Sequence, residues 1–96
     1  MLIARVVGSA VSTAKDDRLR GAKLLVLRPA SPTDEVSGEF FIAVDTVGAG
    51  EGELVLVAQG SAARQTAHTE GVPTDAAIVG ILDSLEVDHD VAFRKS

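Results

Sequence analysis

The sequence predicts a small all-β domain, with five short strands and one brief helix rolled into a closed or nearly closed β-barrel. Three observations point there. The chain has 96 residues, a length that suits a single domain. Short apolar runs rich in Val, Ile and Leu alternate with Gly, Pro and acidic punctuation. Only Ser61–Ala67 has a helical composition. Closure into a barrel would also leave no unpaired strand edge.

The first strand is read over Leu2–Thr13, and the polar Lys15-Asp16-Asp17 that follows is a turn. The second, Ala22–Arg28, stops at Pro29, which has no backbone N–H to offer a ladder. Residues 31–38 form an exposed loop, and Phe40–Asp45 is the third strand. Thr46–Gly52 carries Gly48, Gly50 and Gly52 at alternate positions, so a tight turn is expected there. Gly48 and Gly50 are expected to hold backbone geometry closed to other residues. Glu53–Ala58 is the fourth strand. Gly60-Ser61 opens the helix, with Ser61 as its N-cap. Residues 68–75, containing Pro73, form a second polar loop. Ala77–Val87 is the fifth strand. The domain therefore runs over residues 1–87, with a charged tail over 88–96.

A half-buried strand alternates apolar and polar residues. Leu24-Leu25-Val26-Leu27, Phe40-Phe41-Ile42-Ala43-Val44 and Leu54-Val55-Leu56-Val57 do not; they are apolar on both faces. One face fills the barrel. The other needs a cover larger than one short helix, and exposed apolar area of that extent marks protein–protein contact. A chain this short also gains from association, since its own core is thin.

Composition excludes several classes. There is no cysteine, hence no disulfide, thiol chemistry or cysteine zinc site. The net charge is −5, with 14 acidic against 9 basic residues, and the only aromatics are Phe40, Phe41 and Phe93. That is a poor surface for nucleic acid or anionic membrane. The N-terminus lacks the basic segment of a secretory signal, and no apolar run is long enough to span a bilayer. A cytoplasmic protein is expected.

Candidate chemistry is sparse. The run from Asp45 through Thr46, Val47, Gly48, Ala49 and Gly50 to Gly52 matches neither phosphate-loop spacing, and it leads into a strand rather than a helix. Its glycines point to positive φ or close backbone approach, which is functional where the neighbour is another subunit. Ser61, His68 and Asp75 or Asp83 can be written as a triad, but the G-x-S-x-G elbow is absent. His68-Thr69-Glu70 lacks the downstream cysteines of a zinc deaminase. Asp88-His89-Asp90 has metal-binding residue types but reads as a solvated charge run. No catalytic group, metal or cofactor is expected. Arg64 has two readings: pairing with a carboxylate on its own surface, or holding carbonyls or a carboxylate across a subunit contact.

These segments resemble the vertex proteins of bacterial microcompartment shells, the EutN/CcmL family. The matching stretches are Arg5-Val6-Val7-Gly8, Gly21-Ala22-Lys23-Leu24-Leu25-Val26, Ala43–Gly50, Gly60-Ser61-Ala62-Ala63-Arg64 and Asp75–Asp83, in the family's order over about residues 1–87. Ala62 stands where the family often has a serine. The resemblance implies a five-stranded barrel akin to the oligonucleotide-binding fold, assembled as a cyclic homopentamer. It implies a structural role at the fivefold corners of a polyhedral shell, beside hexameric shell proteins, in the cytoplasm. Asp45, Thr46, Val47, Gly48, Ala49, Gly50, Gly60, Ser61 and Arg64 are the implied interface or pore candidates. The rival reading is a barrel of the same type that binds a peptide or a nucleic acid.

Overall fold

The computed structural model describes residues 1–11, 22–65 and 74–95. Its strands are β1 (Leu2–Ala10), β2 (Leu24–Pro29), β3 (Phe41–Asp45), β4 (Leu54–Gln59), β5 (Ala76–Ile81), β6 (Ser84–Val87) and β7 (Asp90–Arg94). A 3-10 helix, Gly60–Arg64, joins β4 towards β5. The first five strands close a barrel in the order β1-β2-β3-β5-β4, with β4 returning to β1. All pairings are antiparallel except β3 with β5, which is parallel and short: Val44 opposite Ala77 and Asp45 opposite Ile78.

Strand curvature comes from two irregularities. Between Val6 and Gly8 the register of β1 on β2 slips by one residue, and the ladder of β4 on β5 slips next to Val57. An extra residue on one strand bends it and raises its twist, which helps a sheet of so few strands to close. The interior is filled by Val6, Leu25, Leu27, Val55, Val57 and Ile78, with the small Ala4, Ala43 and Ala76 between them. Each fully buried Leu or Ile contributes about 1.5–3 kcal/mol of transfer free energy.

The outer face is covered unevenly. Ala58 and Ala77 are buried on the side where the 3-10 helix packs against β4 and β5. Leu54 is also buried on the outside of β4. On β2 and β3 the outward Leu24 and Val26 are only half-buried, and Ile42 is 52% exposed. The two-sided apolar strands therefore keep an open patch on one side of the barrel. Phe40 is exposed at the edge of β3, with the Arg28 guanidinium 5.1 Å from its ring centre.

Besides shifts of one or two residues at strand ends, such as β2 starting at Leu24 and running through Pro29, the elements read from the sequence differ from the structure at the C-terminal end and at the helix. Ala77–Val87 is not one strand: β5 ends at Ile81, the Leu82 N–H bonds the Leu54 carbonyl, and the chain leaves the barrel. It then forms a separate two-stranded sheet, β6 with β7, within which the charged C-terminal residues pair. Asp88 and His89 both have positive φ, 53° and 68°, as a two-residue hairpin turn of the primed type requires. The helix is a five-residue 3-10 turn whose N-cap position is Gln59, with no side-chain cap. Ser61 is exposed and caps nothing, because the turn begins one residue earlier, at Gly60 with φ 61°. Lys15-Asp16-Asp17, the end of the first strand at Ser12 and Thr13, Thr66 and Ala67, and most of loop 68–75 lie outside the described residues.

Candidate functional site

Two stretches carry the candidate residues, and β5 supports both. In the glycine turn, the Asp45 N–H bonds the Lys23 carbonyl at 2.9 Å. One Asp45 carboxylate oxygen accepts the Val47 N–H at 3.0 Å. The other lies 3.5 Å from the Lys23 ammonium and has no hydrogen bond of its own. That separation is charge pairing rather than a formed bond, and it offsets the desolvation of a carboxylate whose side chain is 1% exposed. Lys23 donates directly to the Ala49 carbonyl at 2.9 Å, which tethers the turn to the start of β2. Thr46 donates its hydroxyl to the Ile78 carbonyl on β5 at 2.6 Å.

Ala49 is fully buried in the core cluster, while Val47 and Gly48 face solvent. The turn is thus plugged into the end of the barrel by one methyl group, with its outer part exposed. Gly48 has φ 76° and Gly52 φ 90°, a region that favours glycine. Gly50 departs from expectation. It is not in that region, and an added Cβ would meet only the Glu53 carboxylate at an ordinary 3.5 Å. Its N–H instead donates to that carboxylate at 2.7 Å.

The second stretch is the 3-10 helix. The Gly60 N–H bonds the Asp75 carbonyl at 2.7 Å, and Arg64 donates to the Thr74 carbonyl at 3.0 Å. Arg64 therefore grips backbone leading into β5 of its own chain. It also lines a groove of about 490 Å³ together with Leu24, Ile42, Val44, Thr74 and Asp75. The fold brings Arg64 beside the open outer face of β2 and β3, which its sequence position gives no hint of. Ser61 is exposed on the same helix, Asp75 is exposed beside Arg64 in the same groove, and Asp83 is exposed at the base of the C-terminal hairpin. His68, Thr69 and Glu70 lie outside the described residues. Asp88 and His89 form the hairpin turn, and among the described residues no three His, Cys, Asp or Glu side chains cluster as metal ligands.

A third feature escapes sequence reading. Glu53 accepts the Gly50 N–H and also the Lys95 ammonium, at 2.7 Å. The Lys95 bond, then the Gly50 bond, hold the Glu53 carboxyl below its ordinary range, and the Glu53 bond raises Lys95. Beside it, Arg5 pairs with Asp34 and donates to the Gly52 carbonyl at 2.7 Å. These partners are up to 47 residues apart, so no local spacing announces them.

The family model described as ethanolamine utilisation protein EutN/carboxysome matches residues 1–83. The chain belongs to the EutN/CcmL family. Within that family, the carboxysome shell vertex protein CcmL of Thermosynechococcus vestitus is 44% identical over 95 residues, covering 99% of this chain and 96% of that one. The solved CcmL of Nostoc sp. PCC 7120 superposes with a TM-score of 0.93 at 44% identity, over 99% of this chain and 100% of that one. The pentameric microcompartment shell protein GrpN of Rhodospirillum rubrum gives a TM-score of 0.82 at 44% identity, over 91% and 99%. The barrel seen here is thus the fold of its EutN/CcmL relatives, including a pentameric one.

Proposed function

We propose that this chain is a structural protein that assembles as a homopentamer and forms the vertices of a polyhedral bacterial microcompartment shell. The observation that carries the reading is full-length similarity, at 44% identity, to a carboxysome shell vertex protein. The open apolar face of β2 and β3 supports it physically, since such a face calls for a protein neighbour. A flat sheet of hexameric tiles cannot close without fivefold points, and a ring made by a head-to-tail contact supplies one. On this reading the protein has no catalytic duty and no cofactor, works in the cytoplasm, and meets hexameric shell proteins around the rim of its ring. Nucleic acid is not among its partners. Of the interface or pore candidates, Asp45, Thr46, Ala49 and Gly50 bond or pack within the barrel of their own chain, and the exposed Val47 and Gly48, together with Gly60, Ser61 and Arg64, are the positions proposed to face neighbours or the ring axis.

Native mass spectrometry tests the assembly: five copies of 9.9 kDa give a species of about 50 kDa, and a monomer or dimer at micromolar concentration refutes it. Electron microscopy of a deletion strain tests the role. The expected result is elongated or unsealed shells; closed polyhedra in a strain without a second vertex protein would contradict it.

A further inference from the structure

The C-terminal hairpin is a sheet of two strands with open edges. β6 pairs with β7, and neither pairs with a barrel strand. The Lys95 N–H bonds the Asp83 carbonyl across the hairpin, so Asp83 turns its carbonyl inward. Backbone groups alternate sides along an antiparallel strand, which turns those of Ser84 and Glu86 outward. Among the described residues, no backbone group outside the hairpin bonds them. Both residues are exposed. An edge of this kind is a template for one more strand.

The two faces of β6 differ. Ser84 and Glu86 lie on one face, with Glu86 opposite Val91. Leu85 and Val87 lie on the other, with Leu85 opposite Phe93. Phe93 lines a cavity with Leu54 and Arg5 at the barrel, whereas Val87, towards the tip, is 45% exposed. The two strands also differ in charge. Residues 83–90 carry Asp83, Glu86, Asp88 and Asp90 and no Lys or Arg, so most of the chain's net charge of −5 sits here. The cations of the hairpin stand at the base of β7: Arg94 lies opposite Ser84, and Lys95 is held by Glu53. The open edge of β6 is therefore the acidic one. Acids on an open edge discourage pairing with a like edge. A second copy would set Glu86 and its neighbours against the same acids, and like charges opposite one another destabilise a strand pair. The same acids favour a strand of opposite charge.

We propose that the β6 edge takes up, as a third strand, an extended segment of a different protein in which basic residues alternate with apolar ones. The basic side chains lie beside Glu86, the apolar ones continue the stripe of Leu85 and Val87, and the backbone of the segment bonds Ser84 and Glu86. The site belongs to each chain singly, so it stands whether or not the chain forms a ring.

The probe is a dye-labelled peptide of about eight residues, an ordinary strand length, alternating lysine and valine. It is titrated into the full-length protein and followed by fluorescence anisotropy and by hydrogen exchange. Saturable binding that raises the protection of the Ser84 and Glu86 amides is expected; no binding overturns the proposal. A peptide of the same sequence with every backbone nitrogen methylated keeps the charge and gives up every backbone donor. It is expected not to bind, and equal binding overturns the proposal by leaving charge alone as the cause. Ser84→Pro removes an outward N–H and leaves the inward ladder intact, so it should lose the peptide with far-UV circular dichroism unchanged. Should that variant not fold, Glu86→Lys, at an exposed position, decides: binding about fivefold or more weaker is expected. Undiminished binding in a folded Ser84→Pro, or in Glu86→Lys, overturns the proposal.

Discussion

The glycine turn and the C-terminal hairpin meet at Glu53 yet are held in different ways. The turn is fixed from within the barrel, by Lys23 on the Ala49 carbonyl, Thr46 on the Ile78 carbonyl and the buried Ala49 methyl. The hairpin is tied at its base by the Lys95 ammonium on Glu53, while the Lys95 N–H on the Asp83 carbonyl closes the hairpin's own ladder. A segment that spends many bonds on its own barrel presents a fixed shape. A segment tied at one end keeps its far surface free for a neighbour. The same short chain thus builds one rigid feature and one protruding feature next to each other.

The largest expected effect breaks the turn. Gly48→Val forces a branched side chain to φ 76° and should cost about 1–3 kcal/mol of stability, read as a lower denaturation midpoint with an unchanged m-value. Gly50→Ala sharpens the point, because Gly50 lies outside that region; its effect should stay within about 0.5 kcal/mol. Equal losses at the two positions would mean the turn is not strain-limited. Next comes Thr46→Val, which strands the Ile78 carbonyl and should cost about 1 kcal/mol in chemical denaturation.

A smaller effect concerns the hairpin anchor and acidity. Glu53 is held below its usual value of 4.5 by the Lys95 bond and then the Gly50 bond. A lowered carboxyl contributes stability that is complete above the unfolded value and is lost as pH falls through the folded one. Lys95 is raised above 10.5, chiefly by the Glu53 bond. Its contribution is complete below that value and is lost as pH rises through the folded one. The protection factors of the amides of residues 84–95, each exchange rate taken relative to the unstructured rate at the same pH, should therefore be highest between the two limits and fall at both. Lys95→Met should flatten that dependence; a variant that keeps it would show that the anchor lies elsewhere. The smallest change is Ser61→Ala, expected within about 0.5 kcal/mol by thermal melting because the exposed hydroxyl caps nothing.

The barrel was legible because its signal is local. Leu24–Leu27, Phe40–Val44 and Leu54–Val57 are apolar on both faces, and the glycine run interrupts them where a turn is needed. The hairpin was not legible, because Asp88-His89 fills a turn usually marked by Asn-Gly or Asp-Gly. Leu82-Asp83 likewise gave no breaker residue to split Ala77–Val87. Ser61 misled because a serine after a glycine has the composition of a cap, while the true start was set by the backbone of Gly60. Among the candidate residues, Gly48, Ala49 and Arg64 could be singled out from sequence. Lys23, Glu53 and Lys95 could not, since they converge only once the barrel has closed.

The parallel joint between β3 and β5 spans two residue pairs, whereas β1 meets β4 over four. The barrel is in effect a three-strand meander clipped to a two-strand unit at two seams, and the shorter seam is where the clip opens first. Its amides, around Val44, Asp45, Ala77 and Ile78, are expected to exchange through local opening well below the global unfolding free energy. The groove that includes Val44 lies over this seam. Whatever packs over that groove would clamp the clip shut, so that covering the groove and slowing the breathing of the barrel become one event. Exchange at these amides in the ring, compared with a monomeric variant, measures that coupling directly.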